Sequence, residues 1–351
     1  MLKNENFSEE YIREMQKISK RDPILLERTI YAFGLLEAIR KVDMPFIFKG
    51  GTCLMLLLDH PERLSTDIDI IVEPGTNVEE YIEKAAQIFP FVKYEEQVRI
   101  GKNKIEKRHF KFTYDSPING REFYILLDVL YEENQYVRLV EKEIRNELLL
   151  TEPDYLTVKV PCIESILGDK LTAFAPHTTG IPLNIGKNME VMKQLYDVST
   201  LVERFENLSE VKETYEKVVA SEIAYRGIEK TSKECLRDTF NSALCIITRE
   251  KVKREEYPLY VKGIQDLRGH IFRENYTAEI AIGKAVRVAY LVACLMTDSE
   301  FVHISNPKDY MNENIQKPEL LGAKFLKKID IESYAYMVLI DRMLTDESSI
   351  E

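Results

Sequence analysis

The sequence predicts an α+β fold, with a mixed sheet and flanking helices over residues 1–160 and an α-helical C-terminal domain over residues 161–351. Three observations carry that expectation. Short apolar runs bounded by turn residues crowd into the first part of the chain, and apolar residues at three-and-four spacing dominate the rest. A Gly-Gly pair, Gly50 and Gly51, follows one apolar run and opens a helical stretch. Asp67 and Asp69 alternate with Ile68, Ile70 and Val72, so both acids share one face of a strand whose other face is apolar.

Residues 7–19 and 23–42 show helical spacing, and Asp22 before Pro23 is a cap followed by a first-turn proline. Phe46-Ile47-Phe48 is the first strand, 52–58 a short helix, 67–72 the second strand and 77–88 a helix after the Glu73-Pro74-Gly75 turn. Segments 91–100 and 105–115, joined by Gly101-Lys102-Asn103, form an antiparallel hairpin. Glu122–Tyr131 is apolar enough to be a central strand, yet Asp128 interrupts it. Past Pro161 the stretches 164–174, 188–206, 208–225, 231–250, 256–273, 277–297 and 330–346 read as helices. Thr178–Lys187 holds Gly180, Pro182 and Gly186 and reads as a mobile loop at a cleft between the two parts.

Apolar content of 45% with 30% charged residues is ordinary for a globular protein. The net charge of −11 excludes a general nucleic-acid coat but leaves room for local basic clusters. One comprises Lys102, Lys104, Lys107, Arg108 and Lys111, a smaller one Lys251, Lys253 and Arg254, and either also fits a solvated surface. The five cysteines lie far apart without Cys-x-x-Cys, which suits reduced thiols in the cytoplasm. No stretch approaches the ~20 apolar residues of a membrane span, and the start of the chain does not read as a signal peptide, so no membrane partner is expected.

Asp67 beside Asp69 is costly unless a cation sits between them. Magnesium is the natural choice, because it binds through one or two carboxylates and substrate phosphates. Gly50 and Gly51 let backbone amides approach a phosphate at a helix N-terminus. Asp128, on a neighbouring strand, would complete a three-carboxylate cage; its ordinary alternative is a hydrogen-bonded structural acid. Lys170 falls on the apolar side of its helix with Ile163, Ile166, Leu167 and Phe174, where a lysine snorkels to water or meets an anion. Lys193 and Asp197 stand one turn apart, the spacing of an ordinary helix pair.

A lone Asp-x-Asp or Gly-Gly is commonly just a turn, but the ordered string is more specific. Lys49-Gly-Gly-Thr-x-Leu54, then Arg63-x-Ser65-x-Asp67-Ile-Asp69-Ile70, resembles the nucleotidyltransferase superfamily, whose palm is polymerase-β-like, and within it the AbiEii/AbiGii toxin branch. Glu164, Lys170, Lys193, Tyr196 and Asp197 match that family's later layout, with Lys193 where arginine is common. The resemblance spans residues 46–201. It implies transfer of a nucleoside monophosphate from a nucleoside triphosphate (NTP), with Asp67, Asp69 and Asp128 holding two magnesium ions and Asp128 as general base. Gly50, Gly51 and Thr52 would hold the triphosphate, Arg63 and Ser65 would brace it, Lys170 would contact phosphate, and Lys193 with Asp197 would assist. It also implies a toxin of an abortive-infection or toxin–antitoxin pair, a cognate antitoxin, and an RNA acceptor such as a tRNA 3′ end. Two alternatives stay open: an adenylyltransferase for a small cationic drug, and a catalytically silent nucleotide- or RNA-binding protein.

Overall fold

A computed structural model describes residues 1–97 and 107–347. The chain divides into one unit comprising Met1–Cys162 with Gly269–Asn275, and a second comprising Ile163–Arg268 with Tyr276–Glu351.

The first unit holds helices α1 (Glu9–Ser19), α2 (Pro23–Lys41), α3 (Gly50–Leu57) and α4 (Glu79–Ala85). Its five-stranded sheet comprises β1 (Ile47–Lys49), β2 (Ile68–Val72), β3 (Phe91–Gln97), β4 (Lys107–Asp115) and β5 (Glu122–Tyr131), in the order β1-β2-β5-β4-β3. The sheet is mixed: β2 and β5 run parallel, and every other pair is antiparallel. β5 is central, as its apolar run implies, and Ile125, Leu127, Val129 and Tyr131 are buried on one face. The loop expected between the hairpin strands, with Lys102 and Lys104, lies outside the described residues. A second antiparallel pair, β6 (Leu139–Glu143) and β7 (Thr157–Pro161), has too little alternation for the sequence to announce it.

Helix α2 begins as its sequence dictates. The Asp22 carboxylate accepts from the Leu25 amide at 2.9 Å, and Pro23 occupies the first turn. The helix is buried nearly all round, including Glu27, which is 0% exposed. Its carboxylate is satisfied by the Tyr114 hydroxyl at 2.9 Å, the Ser116 hydroxyl at 2.8 Å and the Ile118 amide at 3.2 Å. Burial, then the Glu27 charge, raises the Tyr114 pKa, so Tyr114 stays a donor. The network fastens α2 to β4 and the turn after it.

The second unit contains α5 (Ile163–Ala173), α6 (Asn188–Val202), α7 (Leu208–Arg226), α8 (Ser232–Thr248), α9 (Tyr257–Leu267), α10 (Ala278–Thr297), α11 (Leu326–Ile329) and α12 (Ile331–Glu347). α10 packs against α6, α8 and α12. Two expectations are corrected here. α10 has the length and composition to cross a membrane, but 78% of its most apolar window is buried inside the protein, so it is a core helix. The helix expected over 256–273 stops at Leu267, and Gly269–Asn275 leaves the helical unit to join the first.

The Thr178–Lys187 segment is also less free than its glycines suggest. Thr179 donates to the Thr172 carbonyl at 2.8 Å, and Thr178 donates to Asp238 at 2.9 Å. His177 is clamped beside them, with Nδ1 2.6 Å from Asp238 and Nε2 2.9 Å from Glu256. Both ring nitrogens face acceptors, an arrangement that only the imidazolium satisfies.

Replacing Glu27 with Ala is expected to destabilise by about 3 kcal/mol, since two buried hydroxyls and a half-buried amide lose their acceptor. Urea unfolding checks this, and a loss under about 1 kcal/mol would show the network to be dispensable. The hydrogen bond to Asp238 raises the His177 pKa, so its contribution is full below the ordinary histidine range and is lost as pH rises through the raised value. Unfolding of His177→Gln should therefore lack the wild-type decline in stability as pH rises above the ordinary histidine range. Parallel stability–pH curves for the two proteins would contradict this.

Candidate active site

The site grows from the junction of β1, α3 and β2. Lys49 ends β1, Gly50 takes φ +80°, and α3 starts at once. A Cβ on Gly50 would sit 2.0 Å from Asp69 Oδ2, and one on Gly51 would sit 2.5 Å from Arg63 Nη2 and 2.8 Å from Ser65 Oγ. Each glycine is thus required by a specific close approach: the first lets the Asp69 carboxylate rest on the backbone, the second admits the Arg63–Ser65 loop.

The strand register supplies the rest. Asp69 pairs with Lys49 on β1 and with Asp128 on β5. Asp67 lies two residues before Asp69, just outside β2, and shares its side of the sheet. The three carboxylates therefore stand on one face of two adjacent strands, with the Asp67 side chain 45% exposed and that of Asp128 33% exposed. Asp67 Oδ1 lies 3.5 Å from Arg28 Nη2, and Asp128 Oδ1 lies 2.6 Å from His109 Nδ1. A partly exposed set of carboxylate oxygens, opened against a helix N-terminus, has the donor chemistry of a magnesium site.

Arg28 and His109 escaped the sequence reading. His109 lies opposite Asp128 only through the β4–β5 register, which alternation alone does not set. Arg28 comes from α2, with no local signal tying it to the acids.

Two residues expected to touch the triphosphate face inward. Thr52 is 0% exposed, and its hydroxyl donates to the Asp67 carbonyl at 2.6 Å, so its side chain ties α3 to the acid strand. Arg63 is 6% exposed and sits against Gly51, bracing the turn from behind. Ser65 is half-buried beside it.

In the second unit Lys170, 8% exposed, leaves α5 to meet Asp197 of α6 at 2.9 Å and Gln194 at 3.2 Å. Asp197, 1% exposed, is thereby joined to Lys170 across two helices, a more demanding contact than a same-helix pair with Lys193. Lys193 is half-buried on α6, and Glu164 accepts from the Glu206 amide at 3.1 Å. The Lys284 ammonium lies 4.4 Å from the Tyr196 ring centroid.

Two basic residues of β4, Arg108 and Lys111, are neutralised. Arg108 pairs with Glu96 at 2.7 Å and also with Glu79, and Lys111 pairs with Glu95 at 3.0 Å. This part of the expected basic cluster is a set of ion pairs rather than an open cationic groove.

Gly50→Ala adds both backbone strain and a collision with Asp69, whereas Gly120→Ala, at φ +67° with nothing within 4 Å of its Cβ, adds strain alone. The first is expected to destabilise by about 2 kcal/mol more than the second. Equal unfolding free energies for the two variants would remove the Asp69 contact as the reason for Gly50.

The family model for the nucleotidyl transferase AbiEii toxin of type IV toxin–antitoxin (TA) systems matches residues 35–279. No curated protein matches the chain. Among solved structures, JHP933 from Helicobacter pylori is 16% identical, with 78% of this chain and 93% of that chain covered at a TM-score of 0.42. An antigenic nucleotidyltransferase-like protein from Paracoccidioides brasiliensis is 14% identical, covering 56% of this chain and 88% of that one at a TM-score of 0.36. With the Gly-Gly turn, the paired acids and a family match over most of its length, the chain belongs to the AbiEii nucleotidyl transferase toxins of type IV TA systems.

Proposed function

We propose that the protein moves a nucleoside monophosphate from an NTP onto an RNA acceptor, and that this transfer is the toxic activity its antitoxin restrains. The observation that carries the chemistry is the register of Asp69 against Asp128, with Asp67 on the same face. Asp67, Asp69 and Asp128 are the residues that would hold magnesium, which when bound neutralises charge at the α-phosphate and on the leaving pyrophosphate. The Gly50 and Gly51 amides, at the start of α3, receive the triphosphate oxygens. Arg63 and Ser65 hold that turn against relaxation, and Thr52 holds α3 to the acid strand.

In the transfer the acceptor hydroxyl oxygen bonds to the α-phosphorus, and the bond to the pyrophosphate oxygen breaks. The hydroxyl proton passes to Asp128, whose orientation the His109 contact fixes. Lys170, Lys193 and Asp197 take their roles from the family resemblance: Lys170 contacts phosphate, and the buried Asp197 holds its ammonium in one place. A tRNA 3′ end is the acceptor this resemblance favours.

The test incubates each α-³²P-labelled NTP with magnesium, total bacterial RNA and either wild type or Asp67→Ala/Asp69→Ala. Label in RNA is expected from wild type and should fall at least about 100-fold in the variant. Label appearing instead on an added aminoglycoside would move the acceptor reading to small molecules. Nucleotide binding with no labelled product would replace transfer by silent binding.

A further inference from the structure

Residues 268–277 connect α9 to α10, more chain than the about 2–8 residues that joining two helices ordinarily takes. The excess makes an excursion into the first unit, where Gly269–Asn275 groups with the sheet side of the molecule. There Ile271 bridges antiparallel to Arg63. The Leu64 amide donates to the His270 carbonyl at 2.7 Å, and the Phe272 amide donates to the Glu62 carbonyl at 2.8 Å. Ile271 is 0% exposed. Arg21 donates to the Phe272 carbonyl at 3.3 Å, and Arg273 lies 2.5 Å from Glu147, so the segment is fastened on both sides of its buried anchor.

The stretch it pairs with is the loop between α3 and β2, which belongs to neither a helix nor a strand. Such a loop keeps one conformation only if its backbone groups find partners. Its central residue, Arg63, is the one whose guanidinium fills the space beside Gly51. The chain of contacts therefore runs from Ile271 and Phe272, through the backbone of Glu62–Leu64, to Arg63 and the Gly50–Gly51 turn. We propose that this strap is a positioning element for the nucleotide: Phe272, through its backbone amide, and Ile271, through its burial, hold the turn in the shape that receives the triphosphate. The inference rests on the reading of that turn as the triphosphate site.

The consequence is selective. A relaxed turn weakens what is held by phosphates and leaves what is held by the base and sugar. Phe272→Pro removes the amide that donates to Glu62 and touches none of the acids, Phe272→Leu keeps it, and Arg21→Met removes the outer tie to the Phe272 carbonyl. Calorimetric titration of the full chain with the four magnesium–NTPs identifies the tightest, and its parent nucleoside is titrated beside it. Phe272→Pro is expected to weaken the triphosphate roughly fivefold to tenfold, with the nucleoside within about twofold of wild type. Phe272→Leu should restore the wild-type constant. Arg21→Met, the milder change should Phe272→Pro fail to fold, is expected to shift the triphosphate in the same direction by about threefold.

Folded Phe272→Pro and Arg21→Met proteins that bind the triphosphate as tightly as wild type would overturn the strap. Equal weakening of triphosphate and nucleoside would also overturn it, by showing a general loss of structure. A folded wild type that binds none of the four NTPs would instead sink the reading of the turn itself, and the strap's role with it.

Discussion

Parallel pairing of β2 with β5 puts Asp69 abreast of Asp128, and Asp67 shares their face one step along the chain. Three carboxylates at that spacing repel, and the neighbouring elements are arranged around that cost. Arg28 approaches Asp67, His109 approaches Asp128, and the Gly50 backbone gives Asp69 room to lie flat against α3. The concentration of negative charge that a divalent cation would relieve is therefore built into the strand register and does not depend on flexible side chains.

Buried charge is handled differently away from these acids. Glu27 is surrounded by neutral donors and knits α2 to the sheet. Lys170 and Asp197 neutralise each other between α5 and α6, where removing either partner would strand the other in a poorly solvated place. His177, though exposed, is held between two acids that fasten the segment after α5. Glu27, Lys170 and Asp197 are buried, whereas the acids on β2 and β5 stay partly exposed.

The pairing of residues 62–64 with 270–272 adds a long-range element to a turn whose other contacts are local in sequence. Gly51, Arg63 and Ser65 lie within one short stretch, but the backbone that fixes their loop comes from beyond α9. α9 ends at Leu267, and Ile271 is fully buried within the first unit. The family match, residues 35–279, takes in this segment.

Local periodicity determined most of the elements: the apolar β5, the Asp22-Pro23 start of α2, and the alternation that puts Asp67 and Asp69 on one face all follow from side chains within a few residues of each other. The ordered glycines and acids also carried the family, because a tight turn and a paired-acid strand have few other uses in that order. Tertiary structure alone decided the partners. Register placed His109 against Asp128, helix packing brought Lys170 to Asp197, burial turned Thr52 and Arg63 inward, and ion pairing neutralised Arg108 and Lys111. It also ended α9 early and sent Gly269–Asn275 back to the sheet. Each of these depends on contacts between residues far apart in the chain, and spacing within one segment carries no information about what a distant segment will place opposite it.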